Sequence, residues 1–156
     1  MTSHYAQLAE WSNDLTEFVM VYRNISAAKR NEPIDGGWSP RQVLQHLMDT
    51  EILFATRIRA AIAEPGSVIA TYDPDLHQDR IPNDQVPDNL LLDALAGLRS
   101  VNVAILHALP DAAWEQAVQH PEAGPQTLER ITEIFGGHVG DHLGDLKNAG
   151  LGVRAL

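Results

Sequence analysis

The chain has 156 residues, a formal net charge of −10 and no cysteine. Its 44% apolar and 21% charged residues are typical of a soluble globular protein, and we expect residues 1–156 to form a single domain. The absence of cysteine excludes disulfides, thiolate nucleophiles and cysteine zinc sites, so any metal must be held by histidine and carboxylate. The 11 basic residues against 21 acidic ones argue against a nucleic-acid partner. No run of 18 apolar residues is present, so we expect a cytoplasmic protein without a membrane partner.

Two amphipathic helices are predicted in the first part of the chain. Apolar residues recur at steps of three and four from Leu8 to Ile25, which predicts a helix that ends before Glu32-Pro33. The tetrapeptide Ser39-Pro40-Arg41-Gln42 has the pattern of a capping box with proline at the first helical position. A second helix is therefore predicted from there to about Ala63.

Residues 65–87 show no helical period and are predicted to form a loop, which is long for a compact domain. The stretch 73–93 carries six aspartates against a single basic residue, Arg80. We interpret it as a solvated face, and a docking surface for a basic partner is the alternative. The alternating aspartates resemble a calcium loop, but Gln78 replaces the required glycine and Asp84 the final glutamate, which argues against calcium.

A third helix is predicted from a cap at Asp88 to near Pro110, and Asn102 is a polar interruption of its apolar stripe. A short helical segment over 111–117 is predicted to follow, with Trp114 packed inward.

The fourth helix is predicted to begin after a cap at Thr127 and to end at Gly150, with a loop over 120–125 before it. No strand is predicted. Four long helices indicate an all-α four-helix bundle, in which residues 65–87 are long enough to form a crossover.

His138 and His142 are the most informative residues for function. They are four apart on one helical face, in phase with an apolar stripe, so both imidazoles are predicted to point into the bundle. Buried imidazole nitrogens need partners, and one metal satisfies two adjacent rings. The alternative is a pair of hydrogen-bonded core histidines. Four glycines surround the pair and indicate either a close approach of a neighbouring helix or a frayed helix; they are Gly136, Gly137, Gly140 and Gly144.

His46, on the second predicted helix, is the natural third ligand, although alone it would be interpreted as a boundary histidine bonded to a carbonyl. Three histidines with open coordination positions are typical of a catalytic metal site. Asp49 and Asp145 are candidates to accept hydrogen bonds from the outer ring nitrogens, whereas Asp141 is expected to face solvent.

Tyr72 and His77 are predicted to line the mouth of the pocket, and no other catalytic residue can be assigned. The remaining histidines, His4, His107 and His120, are interpreted as surface or capping residues.

Three stretches resemble the DinB/YfiT-like superfamily of bacterial metal-binding four-helix bundles: WSPRQVLQHLMDTE, HPEAGPQTL and GGHVGDHLGDL, beginning at residues 38, 120 and 136. The resemblance implies an up-down-down-up bundle with the long crossover between helices 2 and 3, and often a homodimer. It also implies metal ligands at His46, His138 and His142, and a divalent cation such as zinc, nickel, manganese or iron. Relatives include thiol-dependent S-transferases and isomerases.

The first functional hypothesis is a divalent-metal-dependent enzyme that activates a low-molecular-weight thiol or water against a small-molecule substrate, as a thiol S-transferase or a hydrolase. The alternative is a bundle without catalysis, which binds metal or small molecules or serves as a structural dimer. Metal-dependent stabilisation distinguishes a metal site from purely structural histidines.

Overall fold

The computed structural model describes residues 4–152, so both ends of the predicted domain lie outside the described residues. In this range the chain forms five α-helices and one β-hairpin. The helices are α1 (His4–Asn24), α2 (Pro40–Ala63), α3 (Pro74–Arg80), α4 (Asp88–His107) and α5 (Leu128–Asn148), and the strands are β1 (Ala117–His120) and β2 (Gly124–Thr127).

The four long helices form the predicted bundle, and their contacts give its topology. Arg41 of α2 pairs with Asp88 of α4, and Glu51 pairs with Arg99 further along both helices, so α2 and α4 are parallel. Two parallel helices that follow one another need a connection that returns along the bundle. Residues 64–87 make that crossover.

Helices α1 and α5 are parallel as well. His4 contacts Glu129 near the start of both helices, and Glu17 pairs with Lys147 near their ends. Since α2 is antiparallel to α5, as the histidine contacts below show, the order is up-down-down-up. The predicted fold and crossover are therefore confirmed.

Two predicted helix starts are confirmed atom by atom. The Ser39 hydroxyl accepts from the Gln42 backbone N–H, and the Gln42 side chain accepts from the Ser39 N–H. The Thr127 hydroxyl accepts from the Arg130 N–H and begins α5. Both caps satisfy N–H groups that have no partner inside the helix.

The predicted cap at Asp88 is wrong. Pro87 is the N-cap of α4, and the Asp88 side chain makes no capping bond. Its carboxylate instead accepts from the Tyr22 hydroxyl at 2.8 Å and pairs with Arg30 at 3.2 Å and Arg41 at 2.8 Å. Charged partners from α2 and from the α1–α2 connection thus outcompete the local capping bond.

The predicted loop over 65–87 contains a helix. The Asp73 carboxylate caps α3 by accepting from the N–H groups of Asp75 and Leu76, and Pro74 stands at the first helical position. Upstream, α1 ends at Asn24, well before the predicted limit at Glu32-Pro33.

The expectation of no strand is wrong as well. Strands β1 and β2 pair antiparallel, with Ala117 opposite Thr127, and Val118 is fully buried beneath the hairpin. The His120 ring closes the turn by accepting from two backbone N–H groups, which agrees with its predicted capping role. The preceding segment 111–115 is a 3₁₀ helix with Trp114 buried, close to the predicted one.

Helix α4 is, among the described helices, the one whose length and composition would also suit a membrane span. In the bundle it buries Arg99 and Asn102 between two apolar clusters and contacts both α1 and α2. Of its most apolar 18-residue window, 33% is buried in the bundle.

Candidate metal centre

Three histidine side chains from two antiparallel helices meet inside the bundle. His46 of α2 contacts His138 and His142 of α5, whereas Phe54, two turns later on α2, stacks on Phe135 earlier on α5. The Nε2 atoms of His46 and His138 are 3.0 Å apart, and those of His138 and His142 are 3.2 Å apart.

The outer nitrogen of His46 has its own partner. Its Nδ1 lies 3.0 Å from the Tyr72 hydroxyl. When Nε2 faces a metal, Nδ1 carries the ring proton and donates it to this oxygen, which fixes the tautomer and the ring orientation. His142 has a looser counterpart, because its Nδ1 lies 3.4 Å from the Asp145 carboxylate.

The environment keeps the three imidazoles neutral. Burial, together with the neighbouring imidazoles, lowers the pKa of His46 to about 3. Burial and His142 lower the pKa of His138 to about 4. Burial also lowers the pKa of His142, against the opposing effect of Asp145 and Asp141. Neutral imidazole is the form that binds metals, so the cluster is ready to coordinate at neutral pH.

The chemistry and spacing of the donor set fit a metal. In the described part of the chain, His46, His138 and His142 are the one group of three or more His, Asp or Glu whose ligand atoms lie close enough together, all within 4.8 Å. Two nitrogens bound to one tetrahedral zinc at about 2.0–2.1 Å would lie roughly 3.4 Å apart. The observed nitrogen separations of 3.0 and 3.2 Å are close to that.

The segment that carries Tyr72 is tied to α2 at several points. Arg57 donates to the Ala70 carbonyl at 2.9 Å, and its guanidinium lies above the Phe135 ring. Further along, the Gln78 side chain donates to the Gln42 carbonyl at 2.8 Å. These bonds hold Tyr72 against His46.

His77 lies beside Tyr72, with the two rings edge to face at 4.6 Å. Asp49, however, does not contact His46. Its carboxylate lies 3.5 Å from Nδ1 of His77 on α3 instead. Asp141 is exposed, as expected. The structure therefore brings together Tyr72, His77 and Asp145 around the cluster and moves Asp49 outside it.

Two residues near the cluster, Trp38 and Arg57, were not among the predicted site residues. The Trp38 ring lies 4.9 Å from the His46 ring and forms one wall of a cavity of about 390 Å³ that reaches His142. The signal for Trp38 was available, since it directly precedes the capping box of the helix that carries His46. No sequence signal identified Arg57, because its partner Ala70 lies in the segment without a helical period.

Comparison with known proteins identifies the family. The family model of the DinB superfamily matches residues 10–146. A protein of Oceanobacillus iheyensis named "Putative metal-dependent hydrolase" is 27% identical over 139 residues, which cover 86% of this chain and 80% of the relative. A Bacillus licheniformis protein of the same name is 26% identical over 147 residues, which cover 90% and 84%.

Two solved structures share the fold. YfiT from Bacillus subtilis, described as "a probable metal-dependent hydrolase with an unusual four-helix bundle topology", superimposes with a TM-score of 0.87 at 20% identity, over 96% of this chain and 89% of YfiT. A mycothiol-dependent maleylpyruvate isomerase superimposes with a TM-score of 0.66 at 16% identity, over 91% of this chain. The match spans 60% of the isomerase chain.

Proposed function

The chain belongs to the DinB superfamily, and we propose that it is a divalent-metal-dependent enzyme whose metal is held by His46, His138 and His142. The convergence of three neutral Nε2 atoms carries the proposal. The reaction we propose is thiol S-transfer or hydrolysis of a small-molecule substrate, with zinc, nickel, manganese or iron as the cation.

Three protein ligands leave coordination positions for a reactant. A divalent cation held this way lowers the pKa of a thiol or water that binds it and so supplies a nucleophile at neutral pH. The metal-dependent hydrolase names of the relatives support hydrolysis, and the mycothiol-dependent neighbour supports a thiol.

The remaining residues position the ligands and shape the pocket. Tyr72 holds the His46 ring by accepting from Nδ1. The Asp145 carboxylate lies 3.4 Å from His142 Nδ1. Trp38 shields one side of His46 from solvent. On the far side of Tyr72, His77 of α3 lies 3.5 Å from the Asp49 carboxylate of α2.

Metal content tests the proposal directly. Tag-free protein is expected to contain about one divalent metal per chain, and the His138→Ala/His142→Ala variant is expected to contain none. The measurement is elemental analysis, with thermal unfolding in the presence and absence of added metal as a second readout, since a ligand that binds the folded state raises its stability.

The matched control is His107→Ala/His120→Ala, which removes two histidines distant in sequence from the cluster and should keep the metal. If the wild-type protein takes up neither nickel, zinc nor manganese on reloading, the metal proposal is wrong. The histidine-lined bundle would then have a binding or structural role without a metal.

Tyr72→Phe is expected to weaken metal binding about 10-fold to 100-fold, because the loss of the hydroxyl leaves His46 Nδ1 without its acceptor and frees the ring to turn. A competition titration against a chelator measures the change. The control is Tyr5→Phe, which removes a hydroxyl from an exposed ring stacked on His107. Equal affinities for the wild type and Tyr72→Phe would show that Tyr72 does not orient the ligand.

The single-domain organisation of residues 1–156 remains a prediction. So do the homodimer, the cytoplasmic location and the absence of nucleic-acid and membrane partners.

A further inference from the structure

The cavity beside the histidine cluster has a distinct chemical character. It measures about 390 Å³ and is bounded by His142 at the cluster, by the Trp38 ring and by the turn that precedes α2. Its other lining residues are two aliphatic side chains, Ile34 and Val43, a glycine, Gly37, and three polar groups, Asp35, Asp145 and Asn148.

The charged groups of this wall are both carboxylates. Asp35 stands in the turn before α2, and Asp145 lies one turn after His142 on α5. Neither lysine nor arginine is among the residues that line the cavity. Lys29, in the preceding connection, pairs with Glu32, and Lys147, next to Asn148 on α5, pairs with Glu17. Two exposed carboxylates and no basic side chain therefore line the cavity, next to the Trp38 ring.

We propose that this cavity holds the distal part of the substrate or thiol, and that it favours neutral or ammonium-bearing groups and disfavours carboxylates or phosphates. The inference rests on the proposed function and deepens it, because it concerns the substrate class of the same metal site. An ammonium group over the Trp38 face gains a cation–π contact as well as attraction to both aspartates. A carboxylate in the same place meets repulsion from both.

A set of three small thiols that differ in the charge of the distal group provides the probe. The thiols are 2-aminoethanethiol, 2-mercaptoethanol and 3-mercaptopropionate. The protein is loaded with cobalt(II), whose absorption spectrum changes when a sulfur ligand binds, so the readout is binding rather than turnover. We expect the aminothiol to bind more tightly than the carboxylate thiol by about tenfold or more at low ionic strength.

Variants separate the cavity charge from the intrinsic properties of the thiols. Asp35→Asn should reduce the ratio of the two affinities by about threefold, and Asp35→Asn/Asp145→Asn by about tenfold. Asparagine suits position 35 because the backbone there has φ of 48°, which asparagine tolerates. The control Asp93→Asn/Asp111→Asn makes the same change in net charge at two exposed positions outside the cavity and should leave the ratio unchanged.

The outcomes distinguish the two proposals. If cobalt does not bind, or if none of the thiols changes its spectrum, the proposed thiol-activating metal site fails and the inference fails with it. If all three thiols bind with similar affinity, or if the variants keep the wild-type ratio, the metal site stands and the inferred charge preference is overturned. A ratio that falls in the Asp35 variant but not in the control supports it.

Discussion

Glu51→Ala is expected to lower the free energy of unfolding by about 3–5 kcal/mol. Glu51 and Arg99 are 2% and 3% exposed, and the carboxylate takes bonds of 2.9 and 2.8 Å from the guanidinium. It also accepts from the Asn102 amide at 2.8 Å. Removing the carboxylate leaves a buried cation whose remaining bond is a 3.4 Å contact with the Trp11 carbonyl.

The loss of stability comes from the buried Arg99 cation that remains without its carboxylate, and a second variant tests this explanation. In Glu51→Met/Arg99→Met/Asn102→Leu no buried charge remains in this network, and Arg59, which bonds Asn102, is exposed and can turn to water. This triple variant is expected to recover most of the lost stability, since well-packed apolar replacements of buried ion pairs are often neutral.

Equilibrium unfolding in urea measures both variants, and unchanged m-values would show that the same surface is exposed. Glu17→Ala is the control, because its ion pair with Lys147 is partly exposed and worth no more than about 1 kcal/mol. A loss below about 1 kcal/mol in Glu51→Ala would mean that Arg99 finds water or another acceptor and that the network is not essential.

The features that were predicted correctly from the sequence depend on bonds between residues close in the chain and on helical phase. Ser39 and Thr127 cap their helices as expected because the groups that they bond lie three residues away in the chain. His138 and His142 point inward because they share the phase of Leu128 and Leu146, which are both fully buried. The four-helix bundle follows from the same periodicity.

The features that were not predicted from the sequence depend on contacts between residues that are far apart in the chain. Asp88 has the residue type of a cap, but two arginines distant in the chain offer its carboxylate stronger bonds. The hairpin over 117–127 has strands of only four residues, and β1 is also bonded to the 66–69 segment. No local pattern encodes that pairing.

The residues of the candidate site also fall into those that the sequence predicts and those that it does not. Helical spacing identifies His138 and His142 as a pair, and His46 on the second predicted helix is the natural third ligand. Their environment comes from segments without a period, so the Tyr72 bond to His46 and the Asp49 contact with His77 had no signal beyond residue type. Asn102 was visible as a polar interruption, but its partners Glu51 and Arg59 on α2 were not.

Gly136→Ala is expected to destabilise the protein by about 3 kcal/mol, although alanine is the better helix former. A Cβ atom at position 136 would lie 1.6 Å from Cε2 and 2.1 Å from Cζ2 of the Trp11 indole. Trp11 is 3% exposed and packed in the core, so the ring cannot move aside cheaply. The glycine at this position is what lets α5 approach α1, which accounts for one of the glycines around the histidine pair.

Gly137→Ala is the matched control, since no atom outside its own stretch of helix lies within 4 Å of the added Cβ. It should stabilise the protein by about 0.5–1 kcal/mol. Trp11→Phe in the Gly136→Ala background should recover part of the loss, and a double-mutant cycle by urea unfolding measures this coupling. If both glycine variants were equally stable, the helices would have room to separate and the close approach would be unimportant.

The same pair of variants connects packing to the metal site. Position 136 is two residues before His138, so a displacement of α5 away from Trp11 also moves the His138 ring relative to His46. Gly136→Ala should therefore lose metal affinity as well as stability, whereas Gly137→Ala should keep its affinity although it changes the residue next to His138. A variant of Gly136 that loses stability but binds metal as the wild type does would show that α2 and α5 hold the three histidines in place without help from α1.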